Sequence, residues 1–500
     1  MSASPVEKLK GHSAHTQDAA ERGLAGEMRR PIKITMLGAG SGFTPRLVND
    51  VLRIPGCREG GTIALVDIDE SRLSTMREVI SKLISALGET RWQVVASSDR
   101  THVLAGSDYV VNCIEVSGTE CVKFDNDIPL KYGIDQCIGD SIGPGGLFKA
   151  LRTIPVWLAV LKDCERLCPQ ALVLNYTNPM SMMCLAAGRT SSMQVVGLCH
   201  SVQGTSHLLA KYADVPYAEM KWECAGINHL AWFTRLEHRG RDLYPRLRKT
   251  FTAELALGER ERKAGKTSYD ATDIKPWVAG EMERLNYAAR DLVRKDMCLN
   301  FGAFITESSG HLSEYLPYYR KSDAGRALLR VGYDGGSRFY ATNWPKWRRN
   351  ADKERLGMLR GTFPMQWERS WEYASWIIEA REKDTPFRIH GNVMNNRSGA
   401  GQLITNLLAD GCVEVACLVD QNGIQPTRYG ALPPQMAALC ASNMSMFDLG
   451  AQAAIERSVE KAVYALLLDP LCAAVCTPQQ IKAMTLELFA AEKAFLPRYK

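Results

Sequence analysis

The residues with the clearest chemical content stand where apolar runs end. Gly38-Ala39-Gly40-Ser41 closes the β-rich run Ile32–Leu37 and opens a segment with helical apolar spacing. In that context the first glycine permits a tight turn, and the second lets the backbone approach a pyrophosphate at the positive end of the helix. The usual third glycine is missing: Phe43 holds its place and Gly42 comes one residue early. Asp67 ends the next strand-like run, 29 positions after Gly38. A carboxylate there can accept hydrogen bonds from adenosine ribose hydroxyls and would repel a 2′-phosphate, which favours NAD over NADP. The turn residues Gly38, Gly40 and Ser41, with Asp67, are the candidate cofactor-binding set; the plainer alternative for Asp67 is a helix cap.

Four further polar clusters fall at expected strand ends, where doubly wound sheets place ligands. They are Asp140-Ser-Ile-Gly-Pro-Gly-Gly146, Asn175-Tyr-Thr-Asn-Pro179, Gly197-Leu-Cys-His-Ser-Val202 and Gly226-Ile-Asn-His229. Taken singly each is weak. A cysteine at a strand end is more often a core thiol than a ligand, and Asn-Pro is more often a turn.

These clusters require a scaffold, and the chain spells one out. Strand-like runs at Ile32–Leu37, Thr62–Val66, around Val94-Val95, and at 108–116, 171–174 and 194–199 alternate with helical stretches. That alternation predicts an α/β fold, a doubly wound parallel sheet with crossover helices, over residues 31–225. Thr44 is suited to the N-cap and Pro45 to the first position of the first of these helices. Residues 226–500 are less regular, with aromatic and charged residues crowded at 270–390, apolar strands near 411–420 and a helical tail from Pro434. Residues 1–30 read as a flexible tail rather than a secretion signal.

The composition is that of a globular protein: 500 residues, 46% apolar and 23% charged. A formal charge of +6 on such a chain, with no clustered basic stripe, gives no electrostatic case for nucleic acid. No apolar run is long enough for a membrane span, since 462–476 is broken by Asp469 and Pro470. Fifteen cysteines, many inside apolar runs and none behind a signal peptide, suit a reducing cytoplasm.

As an ordered set the motifs resemble glycoside hydrolase family 4, the NAD- and metal-dependent glycosidases, and within it the α-galactosidase branch. The resemblance rests on the Gly-Ala-Gly-Ser turn, Gly143-Pro-Gly-Gly-Leu-Phe-Lys-Ala-Leu-Arg-Thr-Ile-Pro155, Asn175-Tyr-Thr-Asn-Pro-Met180, Gly197-Leu-Cys-His-Ser-Val-Gln-Gly204, Ala225-Gly-Ile-Asn-His229, Ile305-Thr-Glu-Ser-Ser309 and the segment from Cys412 to Pro426. It implies a Rossmann-like first domain of the lactate/malate dehydrogenase kind and an α+β domain for substrate binding and oligomerisation. It also implies a divalent metal, typically Mn2+, held by Cys199 and His229, a sugar-contacting Asn178, and a homodimer or homotetramer. Two protein ligands would leave coordination positions open for sugar hydroxyls and water.

The mechanism so implied is redox elimination, the exception to two-carboxylate glycosidases. NAD+ oxidises the sugar at C3, a base removes the acidified C2 proton, the aglycone leaves C1, water adds and the hydride returns. The resemblance offers His200, next to the metal cysteine, as acid, with Asp140 competing. Glu307 is the nearest match to the base, with a helix-cap role as its alternative. Arg152 either pairs with substrate or braces its helix. The substrate expectation is a small α-linked sugar, most of all an α-galactoside. An anionic sugar (uronide, sulfosugar or phosphosugar) is the alternative, for which Arg290, Arg294, Lys295, Arg320 and Lys321 could form a pocket. A hydroxy-acid dehydrogenase with a similar first domain is the third possibility.

Overall fold

Short runs of Ile, Val and Leu, apolar on both faces, form strands only where helices cover both sides of a sheet. That is how this chain begins. The computed structural model describes residues 17–264, 290–396 and 401–500. Strands β1 (Ile32–Leu37), β2 (Gly61–Val66), β3 (Trp92–Ser97), β4 (Tyr109–Asn112), β5 (Leu172–Asn175) and β6 (Gln194–Gly197) lie parallel in the order β3-β2-β1-β4-β5-β6. The order reverses between β1 and β4, and a crevice opens there beyond their carboxyl ends.

The sheet does not stop at residue 225, which lies inside β7 (Met220–Ile227). The remaining strands are β8 (Leu230–His238), β9 (Arg241–Asp242), β10 (Phe304–Ile305), β11 (Phe387–Met394), β12 (Cys412–Asp420) and β13 (Gly423–Pro426). They extend the same sheet, all antiparallel, as β10-β8-β7-β12-β11-β6, with β13 on β12 and β9 on β8. One row of paired residues crosses four of these strands: Gly197, Asn392, Glu414 and Gly226. The late pair β11–β12 is thus inserted between β6 and β7.

Three local expectations need correction. The fourth strand is shorter than 108–116, because the chain leaves the sheet after Asn112 to form the crevice loop. Thr44 is the first helical residue rather than the cap: Phe43 already has helical dihedrals, and the helix Thr44–Leu52 has no side-chain cap. The tail expected over residues 1–30 is not free from residue 17 on. A helix, Gln17–Arg22, buries Ala19 and Ala20. The Leu24 N–H donates to Glu379 Oε1 at 2.8 Å, and Lys383 Nζ donates to the Leu24 carbonyl at 3.0 Å. Residues 1–16, and 265–289 within the expected aromatic and charged segment, lie outside the described residues. No helix among the described residues is long and apolar enough to cross a membrane.

Candidate active site

Cys199 follows β6 at the entry to the helix Ser201–Ala213, His229 sits in the turn between β7 and β8, and Glu307 follows β10. Two of the three, His229 (φ 63°) and Glu307 (φ 70°), occupy the left-handed region, a costly backbone state found disproportionately at functional sites. Their ligand atoms lie within 4.8 Å of one another. Cys199 Sγ is 3.5 Å from His229 Nε2, which is 3.7 Å from Glu307 Oε2. Ligands bound at roughly 2.0–2.3 Å to one cation stand about 3–4 Å apart, so this sulfur, nitrogen and oxygen fit a single divalent ion.

The protonation states agree with that use. Burial lowers the His229 imidazole to about 4, despite the nearby Glu307, so at neutral pH it is uncharged with a free lone pair. Burial pushes the Cys199 thiol well up, and Glu307 and Glu414 push it further. The thiol therefore surrenders its proton only to a cation that replaces it.

Around these three, a continuous set of polar contacts has formed. Asn178 Nδ2 donates to Asp140 Oδ2 at 3.1 Å, and Ser141 Oγ donates to Asp140 Oδ1 at 2.6 Å. His311, on the helix Ser309–Tyr315, has Nε2 3.9 Å from Asp140 and Nδ1 3.4 Å from Glu307, with its ring edge-on to His229. Tyr315 Oη is 3.4 Å from His229 Nδ1. Burial alone would raise the Asp140 carboxyl, but Lys149, His311 and the Ser141 hydroxyl outweigh it and hold it below the ordinary range. The Glu307 carboxyl is lowered the same way, burial being outweighed by His311, His229, His200 and Arg294. Both are carboxylates at neutral pH, which suits Asp140 to orienting Asn178 better than to giving up a proton.

His200 stands apart from this buried cluster. Its side chain is 64% exposed, with Nδ1 3.7 Å from Glu372. Glu307 does not cap the helix that follows it, since Ser308 does, accepting from the His311 N–H. Arg152 does not reach the cluster at all. Its guanidinium is buried against Asp125, at 3.1 and 2.8 Å, and against Glu492, so it braces two helices and the C-terminal segment.

His311, Tyr315 and Glu414 were not singled out from the sequence. His311 had a usable signal, an i+4 spacing from Glu307. Glu414 had none, because its place beneath the cluster comes from the strand row that it shares with Gly197. It is fully buried, and that burial raises its carboxyl to about 8, with Asn392 opposing and Glu307 adding.

The dinucleotide residues assemble in the crevice between β1 and β4. Gly38 has φ 72°, and a Cβ there would come 2.4 Å from the Cys113 carbonyl oxygen. Asp67 Oδ2 accepts from the Gly40 N–H at 2.7 Å and Oδ1 from the Asp69 N–H at 2.9 Å. Ser41 Oγ accepts from the Phe43 N–H at 3.2 Å. The helix Thr44–Leu52 starts without a side-chain cap; its Thr44 N–H donates to the Ser41 carbonyl at 3.2 Å and Pro45 has no N–H, so this helix end favours an anion chiefly through its dipole. The residues present fit a dinucleotide.

Comparison with known proteins agrees with this geometry. Residues 33–215 match the family described as Family 4 glycosyl hydrolase, and residues 224–472 match the Family 4 glycosyl hydrolase C-terminal domain. An α-galactosidase of Rhizobium meliloti (strain 1021) is 35% identical, the match covering 93% of this chain and 89% of that one. An α-galactosidase of Bacillus subtilis (strain 168) is 34% identical, covering 94% and 100%. Among solved structures, a 6-phospho-α-glucosidase from gut microorganisms in complex with NAD and Mn2+ superposes with a TM-score of 0.73 at 19% identity, over 94% of this chain and 100% of that one. The chain belongs to family 4 of the glycosyl hydrolases.

Proposed function

We propose that this family 4 glycosyl hydrolase cleaves small α-galactosides, with NAD held at the Gly38–Ser41 turn and a divalent cation, Mn2+ in the first instance, held by Cys199 and His229. The observation that carries the reading is the meeting of Cys199 Sγ and His229 Nε2 at 3.5 Å beside the carboxylate of Glu307. Two relatives at 34–35% identity that are α-galactosidases support the substrate.

When bound, the dinucleotide would supply a hydride acceptor that later returns the hydride, and the cation a Lewis acid for the sugar oxygens. The chain's own residues do the rest. The glycine turn and the helix start hold the diphosphate, and Asp67 accepts from ribose hydroxyls. Asn178, aimed by Asp140, meets a sugar hydroxyl. Glu307 is the carboxylate placed to accept a proton, and His311 lies between it and Asp140, within reach to pass that proton on. His200, exposed beside Cys199, faces outward where an aglycone departs and can protonate it.

Four of the five cations suggested for an anionic sugar are already engaged. Arg290 pairs with Asp334 at 3.5 Å, Arg294 with Asp291 at 2.6 Å, Lys295 with Glu254 at 2.8 Å and Arg320 with Asp135 at 2.5 Å, while Lys321 is exposed. This favours a neutral sugar over a uronide or phosphosugar.

A reducing compartment such as the cytoplasm suits a site that needs Cys199 as a thiol, and all fifteen cysteines are unpaired. Exposed Leu130, Tyr464, Leu468 and Leu486, on or beside the C-terminal helices and the helix Val122–Lys131, support assembly of copies through that face. The decisive experiment is hydrolysis of an aryl α-galactoside in deuterated water with NAD+ and Mn2+. Deuterium at C2 of the released galactose, and loss of turnover with chelator, are expected. Unlabelled galactose, NADH accumulating in step with substrate, or faster turnover of the matching uronide would refute it.

A further inference from the structure

The helix Phe339–Arg360 belongs to the second half of the chain, yet it lies across the dinucleotide crevice of the first. Arg72 clasps Asp352 through Nε at 3.1 Å and Nη2 at 3.0 Å, and Lys82 Nζ donates to the Leu359 carbonyl at 2.7 Å. These ties fix the helix on the helix Glu70–Leu87, so its placement needs no cofactor. One face, residues 348, 351, 352 and 355, is thereby turned to the switch point. Ala351 Cβ would stand 3.3 Å from a Cβ at Gly42. Arg355 Nη1 donates to the Gly40 carbonyl at 2.9 Å, in the loop after β1. Arg348 Nη1 lies 2.8 Å from where a Cβ at Gly118 would be, in the loop after β4. The two guanidiniums therefore straddle the crevice between the two loops.

Two of the three arginines beside the crevice already have carboxylate partners: Arg72 is shared between Asp352 at 3.0 Å and Asp69 at 3.6 Å, and Arg355 holds the other oxygen of Asp352. Burial lowers the Arg355 guanidinium from its usual value, Asp352 and Asp67 opposing and Arg72 and Arg348 adding to the fall. Arg355 is also bonded to Asp352, whereas Arg348 is half-buried and pairs with no carboxylate among the described residues. Arg348, with no carboxylate partner among the described residues and set at the loop after β4 across the crevice from the glycine turn, is placed to take an anion held in that crevice, and the charge-assisted fork of a guanidinium suits a diphosphate.

We propose that Arg348 clamps the diphosphate of the bound dinucleotide from above, so that the second half of the chain completes the cofactor site of the first. This rests on the NAD reading given above. It gives the helix Phe339–Arg360 a role in holding the cofactor that the glycine fingerprint alone does not supply.

The test measures binding rather than turnover. Calorimetric titration of the full-length protein with NAD+ and with ADP-ribose, which keeps the diphosphate but lacks nicotinamide, compares the parent with R348A, R348K and the exposed neighbour R349A. R348A should weaken both ligands about tenfold or more, R348K should recover part of the loss, and R349A should change neither. The salt dependence of ADP-ribose binding should also flatten in R348A. Affinities within twofold of the parent in R348A, or an equal loss in R349A, would overturn the clamp while leaving the NAD reading in place. A parent protein that binds neither ligand would overturn both.

Discussion

Replacing Tyr315 by Phe removes one oxygen from behind His229 and leaves the ring in place. Nε2 of that imidazole faces Cys199 at 3.5 Å and Glu307 at 3.7 Å, so Nδ1 is the nitrogen that carries the proton when Nε2 binds a cation. Tyr315 Oη, 3.4 Å away, is its acceptor. In Y315F that N–H is buried without a partner, which costs about 1–3 kcal/mol, toward the lower end here because the bond is long. The imidazole can avoid the cost only by moving its proton to Nε2, the nitrogen the cation needs. Either way Mn2+ affinity should fall about 10-fold, within the roughly 10–100-fold range for loss of a partner that orients a metal-bound histidine. Ring contacts to His229 and Phe447, with centroids at 6.1 and 6.2 Å, survive the change, so the thermal midpoint should move little. The assay is calorimetric titration of metal-free protein with Mn2+, alongside activity against Mn2+ at saturating NAD+. An Mn2+ affinity within twofold of the parent, or a loss matched by an equal loss of NAD+ affinity, would show that Tyr315 does not hold His229 for a cation.

Arg152→Ala leaves the Asp125 and Glu492 carboxyls buried without their cation, a change of the kind that costs about 3–5 kcal/mol. The denaturation midpoint should drop while KM for the sugar in the folded fraction stays put, and a KM effect at full stability would return Arg152 to the substrate. Glu414, raised by burial to about 8, holds its proton longer folded than unfolded, so it withdraws stability as pH climbs from the ordinary Glu range through 8. E414Q should remove that decline and gain about 3 kcal/mol on the parent between pH 6 and pH 9 in denaturant melts; parallel pH profiles for the two proteins would be the contrary result.

Much of the first half of the chain was legible because its signals are local. A buried parallel strand writes itself as an apolar run, a glycine turn before a helix writes itself as Gly38-Ala-Gly40, and Asp67 is placed by the end of its own strand. β1 falls on the run Ile32–Leu37 where the apolar pattern predicts it. Errors at this level were local too. Thr44 lost the cap position because the turn before it was already helical, and residues 17–30 looked like a tail because two buried alanines carry little apolar signal.

The sequence by itself determined which chemical groups were present and at which strand ends: a thiol at 199, an imidazole at 229, a carboxylate at 307 and an amide at 178. Only the tertiary structure decided which of them meet. Cys199 and His229 are 30 positions apart, and β11 and β12, nearly two hundred residues later, slot between their strands. The same long-range pairing buries Glu414 beneath them, while helix packing turns Arg152 to Asp125 and Glu492 and brings Arg348 to the loop after β4. Such contacts depend on sheet order and on where a helix from the second half comes to rest. No periodicity within a window of residues encodes either, because loop closure over long chain separations is decided by the packing of the whole core rather than by any segment's own preference.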